Sequence, residues 1–225
     1  ENTMERVNSG MGEVALINQM GDALSIVNAA RVSFGKMSLG PDLTDNDKRL
    51  IKYLWDNKHT SPFRHVTFTF QIKAPIFVLR QWMKHQEGSS FNEISGRYVQ
   101  FEPSFYQPDT WRKSIKNVKQ GSGSPLDNQD DINEQYKSIV RYLHAEYCSL
   151  LDKGVCREQA RIVLPLSLFS ECYWTCSLQA LLHFITLRLH SHAQVEIQYY
   201  AQAIKEIMLR DKGMAYVMEV CCESE

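Results

Sequence analysis

Ser95-Gly96-Arg97 brings a hydroxyl, closely approachable backbone N–H groups and a guanidinium together in consecutive positions, which is the local make-up of a phosphate seat. Asn92 and Glu93 lie just upstream, and an amide beside a carboxylate supplies both donors and acceptors for the edge of a heterocycle. Both belong to a dense polar run, Arg80 to Tyr98, too polar for a core. A second concentration comes later: Arg161 in Ala160-Arg161-Ile162-Val163-Leu164-Pro165, Arg188 in Leu187-Arg188-Leu189, and Ser191-His192-Ala193-Gln194. A guanidinium set among apolar residues calls for an anion or a carboxylate. A helix start near His192 would suit an anion. His190 and His192 are expected on opposite faces of a strand or far apart around a helix, which argues against a shared metal. Structural readings stay open for both clusters: a turn with a solvated Arg97, and ion pairs for Arg161 and Arg188. No Gly-x-Gly-x-x-Gly follows a predicted strand, no Walker loop is present, and Ser95 has no base that spacing alone assigns to it.

The elements that must position these groups are partly legible. Val66 to Lys73 alternates strictly and predicts a strand with Val66, Phe68, Phe70 and Ile72 on one face. Pro75 then suits a first helical turn, and Ile76 to Trp82 continues as a helix that delivers the chain to His85–Ser95. Asp22 is a cap for a short helix carrying Leu24, Ile26, Val27 and Ala30, and Thr44 with Asp47 resembles a capping box before Ile51, Leu54 and Trp55. A weakly patterned strand is expected at Glu13–Gln19. The longest helix spans Ile132 to Leu151 and ends before Gly154. Shorter helices are expected at Arg157–Leu164 and Ser177–Ile185, and a long one at Ala193–Leu209. Glu102 to Asp131, rich in Pro, Gly, Ser, Asn and Asp, reads as a mobile loop inserted in a single domain, 1–225. Few strands among helices, without βαβ regularity, give an α+β class.

Composition narrows the partners. Lys plus Arg number 25 against 26 Asp plus Glu, so nothing favours generic binding to nucleic acid or to an anionic membrane. No run is long and apolar enough for a membrane span. The chain opens on Glu1 without a signal-peptide pattern and reads as trimmed. The six cysteines are confined to positions 148–222 and lack paired zinc spacing. Free thiols of a cytoplasmic protein, with no metal site, are the expectation. Cys172 and Cys176 would share a face of a helix, which reads as packing.

Taken together, Ala29-Ala30-Arg31-Val32-Ser33-Phe34, Pro62-Phe63-Arg64-His65, Lys73-Ala74-Pro75-Ile76-Phe77-Val78, Phe91 to Tyr98, Ala160 to Pro165 and Ser191-His192-Ala193-Gln194 resemble the flavin-dependent thymidylate synthases, from about Val14 to Met208. The resemblance implies a mostly antiparallel central sheet packed by helices, and a homotetramer with active sites at subunit interfaces. It also implies FAD as bound cofactor, NADPH as reductant, and methylenetetrahydrofolate donating one carbon to C5 of dUMP. Carried over by position, it assigns the nucleotide phosphate to Ser95, Gly96 and Arg97, with Gln81 and Lys84 facing the same ligand. Glu93 falls near the sugar, Arg161 at the uracil carbonyls and Arg188 at a further nucleotide contact. Ser33, Ser61, His85, Asn92, Leu187 and His192 match flavin positions, and His59 matches a histidine near the folate and flavin rings. Arg161, Ser95 and His59 are the catalytic candidates, with Ser95 cast in positioning.

The departures fall on the flavin side. The family signature, Arg-His-Arg, seven residues, then Ser, reads here Lys84-His85-Gln86 with eight residues before Ser95. Lysine lacks the planar fork and glutamine lacks charge. Arg64, Ser177, Gln179 and His183 replace the family's usual Glu, Asn, Arg and Asn, and Glu87 lies in the altered stretch; Arg64, Lys84, Gln86, Glu87, Glu93, Ser177 and His183 remain candidate cofactor contacts. Two alternatives follow. One keeps fold, FAD and pyrimidine nucleotide but ends in another C5 modification such as hydroxymethylation. The other is a noncatalytic nucleotide-binding module.

Overall fold

The alternation at 66–73 forms a strand because each second side chain finds the core: Phe68, Phe70, Ile72 and Ala74 are all buried. The computed structural model describes residues 4–6, 8–101, 104–116 and 121–222. In chain order it contains β1 (Met4–Arg6), α1 (Asn8–Met11), β2 (Glu13–Met20), α2 (Ala23–Arg31), α3 (Asp45–Asp56), β3 (Thr67–Pro75), α4 (Ile76–Trp82), β4 (Ser89–Glu93), α5 (Gln129–Asp152), α6 (Arg157–Ala160), β5 (Phe169–Ser177), α7 (Leu178–Leu189), α8 (Val195–Arg210) and α9 (Ala215–Cys222). Short 3₁₀ turns at Val32–Phe34, Ser61–His65 and Arg161–Val163 punctuate them.

The strands form a sheet in the order β1-β2-β3-β5-β4, and every pairing is antiparallel. This is the α+β architecture expected. Three strands escaped the sequence reading, the shortest being β1, three residues at one edge of the sheet. β5 alternates Ser170, Cys172, Trp174 and Cys176 inward against exposed Glu171, Tyr173 and Thr175. Cys172 and Cys176 therefore share a face as expected, but on a strand, since a spacing of four satisfies both periods. β4 is an edge strand lying inside the polar run, with one pairing partner and little apolar alternation to betray it.

Cross-strand pairing builds the centre of the core. Phe70 sits opposite Trp174 with ring centroids 5.9 Å apart. Trp82 of α4 stacks on Phe184 of α7 at 4.7 Å and meets Tyr200 of α8 edge-on at 5.6 Å. Helices α4, α7 and α8 thus share one aromatic seam, each burying an apolar stripe that would cost several kcal/mol to expose. Pro75 closes β3 and serves as N-cap of α4, one step earlier than expected.

The caps read from sequence are present. The Asp22 side chain accepts from the Ser25 amide, and Thr44 pairs reciprocally with Asp47. α5 ends before Gly154, whose φ of +87° suits glycine. The helix expected at Arg157–Leu164 divides into α6 and a 3₁₀ turn that carries Arg161. Residues 104–116 and 121–128 hold no helix or named strand, yet they are tied down. The Trp111 amide donates to Gln129 Oε1 at 2.8 Å and its indole N–H to Asn133 Oδ1 at 2.7 Å. No described helix is long and apolar enough to cross a membrane.

Candidate active site

β4 carries Glu93 to the rim of a cavity of about 630 Å³, and the turn that follows adds Ser95 and Arg97 to its wall. Arg161 enters from the 3₁₀ turn after α6, beside Glu158, Phe101 and Leu168. The close packing explains the glycine between Ser95 and Arg97. A Cβ on Gly96 would collide with the Phe101 ring and lie 3.1 Å from Arg161 Cδ. Within the turn the Arg97 amide and Nε approach Ser95 Oγ at 3.3 and 3.4 Å, and the Tyr98 amide donates to the Ser95 carbonyl at 3.0 Å. Among the described residues Ser95 Oγ is met only by these nitrogen donors, so none of them prepares it as a nucleophile. Arg161 donates from Nε to the Glu158 carbonyl at 3.3 Å, and its exposed side chain faces the cavity without a carboxylate partner among the described residues.

Glu93 is fixed from below, accepting from Ser170 Oγ at 2.6 Å across the β4–β5 ladder. Its charge acts in turn on Cys172, whose thiol is pushed up to about 12, first by burial and then by Glu93. A protonated thiol in that place is packing.

A second cavity, about 1030 Å³, is lined by Gln81, Leu187, Arg188, His190, His192 and Gln194, with Arg112 contributed by the inserted segment. Its lining contains Arg112 and Arg188 but no Asp or Glu; Arg112 is paired with Glu196 behind the wall at 2.6 Å, which leaves Arg188 as the cation suited to a phosphate or pyrophosphate. Arg188 is held by two acceptors, His85 Nε2 at 2.9 Å and the Gln81 carbonyl at 3.1 Å. Burial, and then the charges of Arg188 and His183, push His85 down to about 4. It is a neutral acceptor at physiological pH. The rings of His190 and His192 lie 4.9 Å apart, with the His192 amide donating to His190 Nδ1 at 3.1 Å. The expectation that they point apart fails because the segment between α7 and α8 is a turn, neither strand nor helix.

One chain does not bring all the expected site residues together. Ser95, Arg97, Arg161 and Glu93 line the first cavity, whereas Gln81, Arg188, Leu187 and His192 line the second. Lys84, Gln86, Glu87 and Asn92 are exposed and line neither. Ser33 is exposed on the 3₁₀ turn after α2, beside Phe34, which is 79% exposed. Ser61 and Arg64 are exposed on the 3₁₀ turn before β3, which packs on α2 and α7. His59, just before it, is exposed with its ring 6.0 Å from that of Tyr53. Ser177 caps α7, accepting from the Ala180 amide at 3.2 Å. The His183 ring lies 5.8 Å from that of His85. Arg112 and Gln194 are site-lining residues that no motif marked with a role: Arg112 sits in a segment without pattern, and only its neighbour Trp111 hints at anchoring.

The family model described as "Thymidylate synthase complementing protein" matches residues 15–211. The chain belongs to this family. A flavin-dependent thymidylate synthase of Thermus thermophilus is 47% identical over 209 residues, covering 91% of this chain and 74% of the relative. The flavin-dependent thymidylate synthase of Thermosipho africanus is 44% identical over 198 residues, covering 87% and 85%. Among solved structures, a UMP/dUMP methylase, PolB from Streptomyces cacaoi, bound with 5-Br dUMP, superposes with a TM-score of 0.82 at 35% identity, covering 92% of this chain and 93% of that one. As a flavin-dependent thymidylate synthase the chain is an enzyme. Its lengthened signature, Lys84-His85-Gln86 to Ser95, is accommodated as a turn at Glu87–Gly88 followed by β4. Gly88 has φ +64°, and a Cβ there would lie 2.9 Å from Ser177 Oγ, so that turn requires glycine.

Proposed function

We propose that this enzyme methylates dUMP at C5 to give dTMP, with FAD as its flavin, methylenetetrahydrofolate as carbon donor and NADPH as reductant. The observation that carries the reading is the first cavity, where Ser95, Gly96 and Arg97 form one turn packed between the Phe101 ring, which leaves no room for a side chain at Gly96, and the Arg161 side chain. In this reading the turn holds the phosphate, and Arg161 meets the uracil carbonyls. Charge develops on the pyrimidine as C5 attacks the methylene carbon, and a guanidinium already in place stabilises it without reorganisation. Ser95 positions the phosphate, and Glu93, fixed by Ser170, faces the sugar.

The donor set of the second cavity fits the flavin's phosphates, since its lining offers Arg188 and His192 and no carboxylate, with Arg112 beside them already paired to Glu196 at 2.6 Å. Leu187 and His192 would hold the group there, with Ser33, Ser61, Arg64, His59 and Asn92 meeting it from surfaces outside that cavity. Lys84, His85, Gln86, Glu87, Ser177 and His183 would complete the contacts near the signature turn. When bound, the flavin supplies the hydride that completes the methyl group. Neutral His85 keeps Arg188 aimed into the cavity. The separation of the two half-sites in one chain supports a homotetramer in which Gln81, Lys84 and Arg188 of one copy complete the phosphate turn of another. A cytoplasmic location fits such a role.

The test is incubation with FAD, NADPH, methylenetetrahydrofolate and dUMP, followed by mass analysis of the nucleotide. A product heavier than dUMP by one CH2 unit, a methyl in place of the C5 hydrogen, is expected. A product carrying one further oxygen would make the reaction hydroxymethylation. A purified protein that binds dUMP but takes up no flavin and turns nothing over would be a binding module.

A further inference from the structure

Glu196 is a carboxylate only 4% exposed, and it lines neither of the two cavities of the candidate site. It sits in the first turn of α8, next to Val195 and two positions after Gln194, both of which do line the second cavity. Its Oε1 accepts from Arg112 Nη2 at 2.6 Å, and the Tyr106 hydroxyl lies 3.5 Å from the same oxygen. Burial and then the Glu196 charge push that hydroxyl up, so it stays protonated. Both neighbours come from the inserted segment.

The stretch that Arg112 belongs to is folded back on itself. Arg112 bridges to Pro125, the Lys113 amide donates to the Ser124 carbonyl at 2.8 Å, the Gly123 amide to the Lys113 carbonyl at 2.7 Å, and the Leu126 amide to the Trp111 carbonyl at 2.9 Å. Arms 111–113 and 123–126 are thus one unit, which the Trp111 bonds to Gln129 and Asn133 tie to α5. Its tie to α8 among the described residues is the Arg112–Glu196 pair. The same stretch gives Ile115, Gly121 and Ser122 to the lining of the second cavity, whereas Arg188 comes from α7 and His192 from the turn after it. A buried ion pair adds little stability over apolar residues of the same volume, and its best-attested use is to fix registry. Here it fixes one wall of a cavity against another.

We propose that Glu196 is a positioning residue for ligand binding in the second cavity: through Arg112 it sets the inserted segment in register with Arg188. Arg112 neutralises Glu196 and leaves the ligand's charge to Arg188. The proposal rests on the reading of that cavity as the seat of the flavin's phosphates.

Equilibrium binding of FAD to the full chain tests it, in Arg112→Met, Arg112→Lys and Glu196→Gln, with Arg188→Gln as the control for the cavity. Expected are dissociation constants raised about tenfold or more in Arg112→Met and Glu196→Gln, and a smaller rise in Arg112→Lys, which keeps the charge. The double variant Arg112→Met/Glu196→Gln should bind no more weakly than the weaker single one, because the two side chains make one contact. The number of FAD sites filled at saturation should stay as in the unaltered chain; a reduced number would make the pair merely structural and overturn the proposal. Trypsin should cut after Lys113 about tenfold faster in the flavin-free Glu196→Gln and Arg112→Met chains. Unaltered FAD affinity in those two variants, beside weakened binding in Arg188→Gln, overturns the proposal. If Arg188→Gln binds FAD as the unaltered chain does, the flavin reading of the cavity fails and trypsin decides: faster cutting keeps the seating role, and an unchanged rate overturns it. If Glu196→Gln does not fold, the two Arg112 variants carry the comparison.

Discussion

Arg188 donates from Nε to Nε2 of His85 at 2.9 Å while its Nη2 donates to the Gln81 carbonyl at 3.1 Å. A histidine can accept there only while that nitrogen is bare, so its proton resides on Nδ1. The neutral imidazole therefore holds Arg188 at the second cavity as an acceptor, where an imidazolium would repel it.

This bond has a pH signature. His85 is depressed from 6.5 to about 4 in the fold, with burial the larger cause and the Arg188 charge the next. The unfolded chain binds a proton near the ordinary value, so stability is full above about 6.5 and declines as pH falls toward about 4. Nuclear magnetic resonance of the imidazole should give a midpoint near the lower figure. In Arg188→Gln the midpoint should rise but stay below the ordinary value, because burial persists. An unshifted midpoint would show that the contact carries no electrostatic weight.

Arg161→Ala should weaken dUMP binding by about tenfold or more, from a charge-assisted bond worth about 1.5–3 kcal/mol. Arg161→Lys should recover only part of it, since a point charge cannot span two carbonyls. Gly96→Ala should produce a similar loss by a different route, displacing Phe101 and Arg161. Equilibrium binding distinguishes these from folding defects when unfolding midpoints are measured alongside.

Asp47 is fully buried and accepts from Arg31 Nη1 at 2.7 Å, the Thr44 amide at 2.8 Å and Thr44 Oγ1 at 2.7 Å. Replacing it with Ala removes the carboxylate that Arg31 faces, leaving it the Ser38 hydroxyl alone, and breaks the Thr44 cap, and should cost about 2 kcal/mol or more, seen as a lower urea midpoint. Asp47→Asn keeps part of the Thr44 pairing and should cost less. Because Arg31 leads directly into the turn bearing Ser33, flavin uptake should fall in both.

The cysteines should divide by environment. Cys156 is exposed, whereas Cys172 and Cys176 are buried on β5, with Cys172 pushed up to about 12 and Cys176 pushed up further by burial. An aromatic disulfide reagent at mildly alkaline pH should modify Cys156 rapidly and leave the β5 pair untouched until urea unfolds the chain. Rapid labelling of all six would contradict the packing described for β5.

Much of this was readable in advance where a periodic signal was strong. β3, α5 and the caps at Asp22 and Thr44 follow from alternation, spacing and side-chain chemistry within a few residues. β5 was missed although Ser170, Cys172, Trp174 and Cys176 alternate with polar residues, because serine and cysteine are weak markers of a buried face. β4 was missed because an edge strand lining a site need not look apolar. The turn Ser95–Arg97 was visible as chemistry, but its convergence with Arg161 depends on a 3₁₀ turn far along the chain. Nothing local announces that Gln81 and Arg188 belong to a different cavity, nor that Arg112 pairs with Glu196, since each depends on how the inserted segment lies against α8.

β5 lies between β3 and β4 in the sheet, although both of its neighbours precede it by many residues. During synthesis the ribosome therefore releases two strand edges that have nothing between them until residue 177 has emerged. Unfilled edges are templates for wrong partners, so nascent chains stalled before that point should be the species that chaperones retain, and a truncation there should yield inclusion bodies rather than a smaller enzyme.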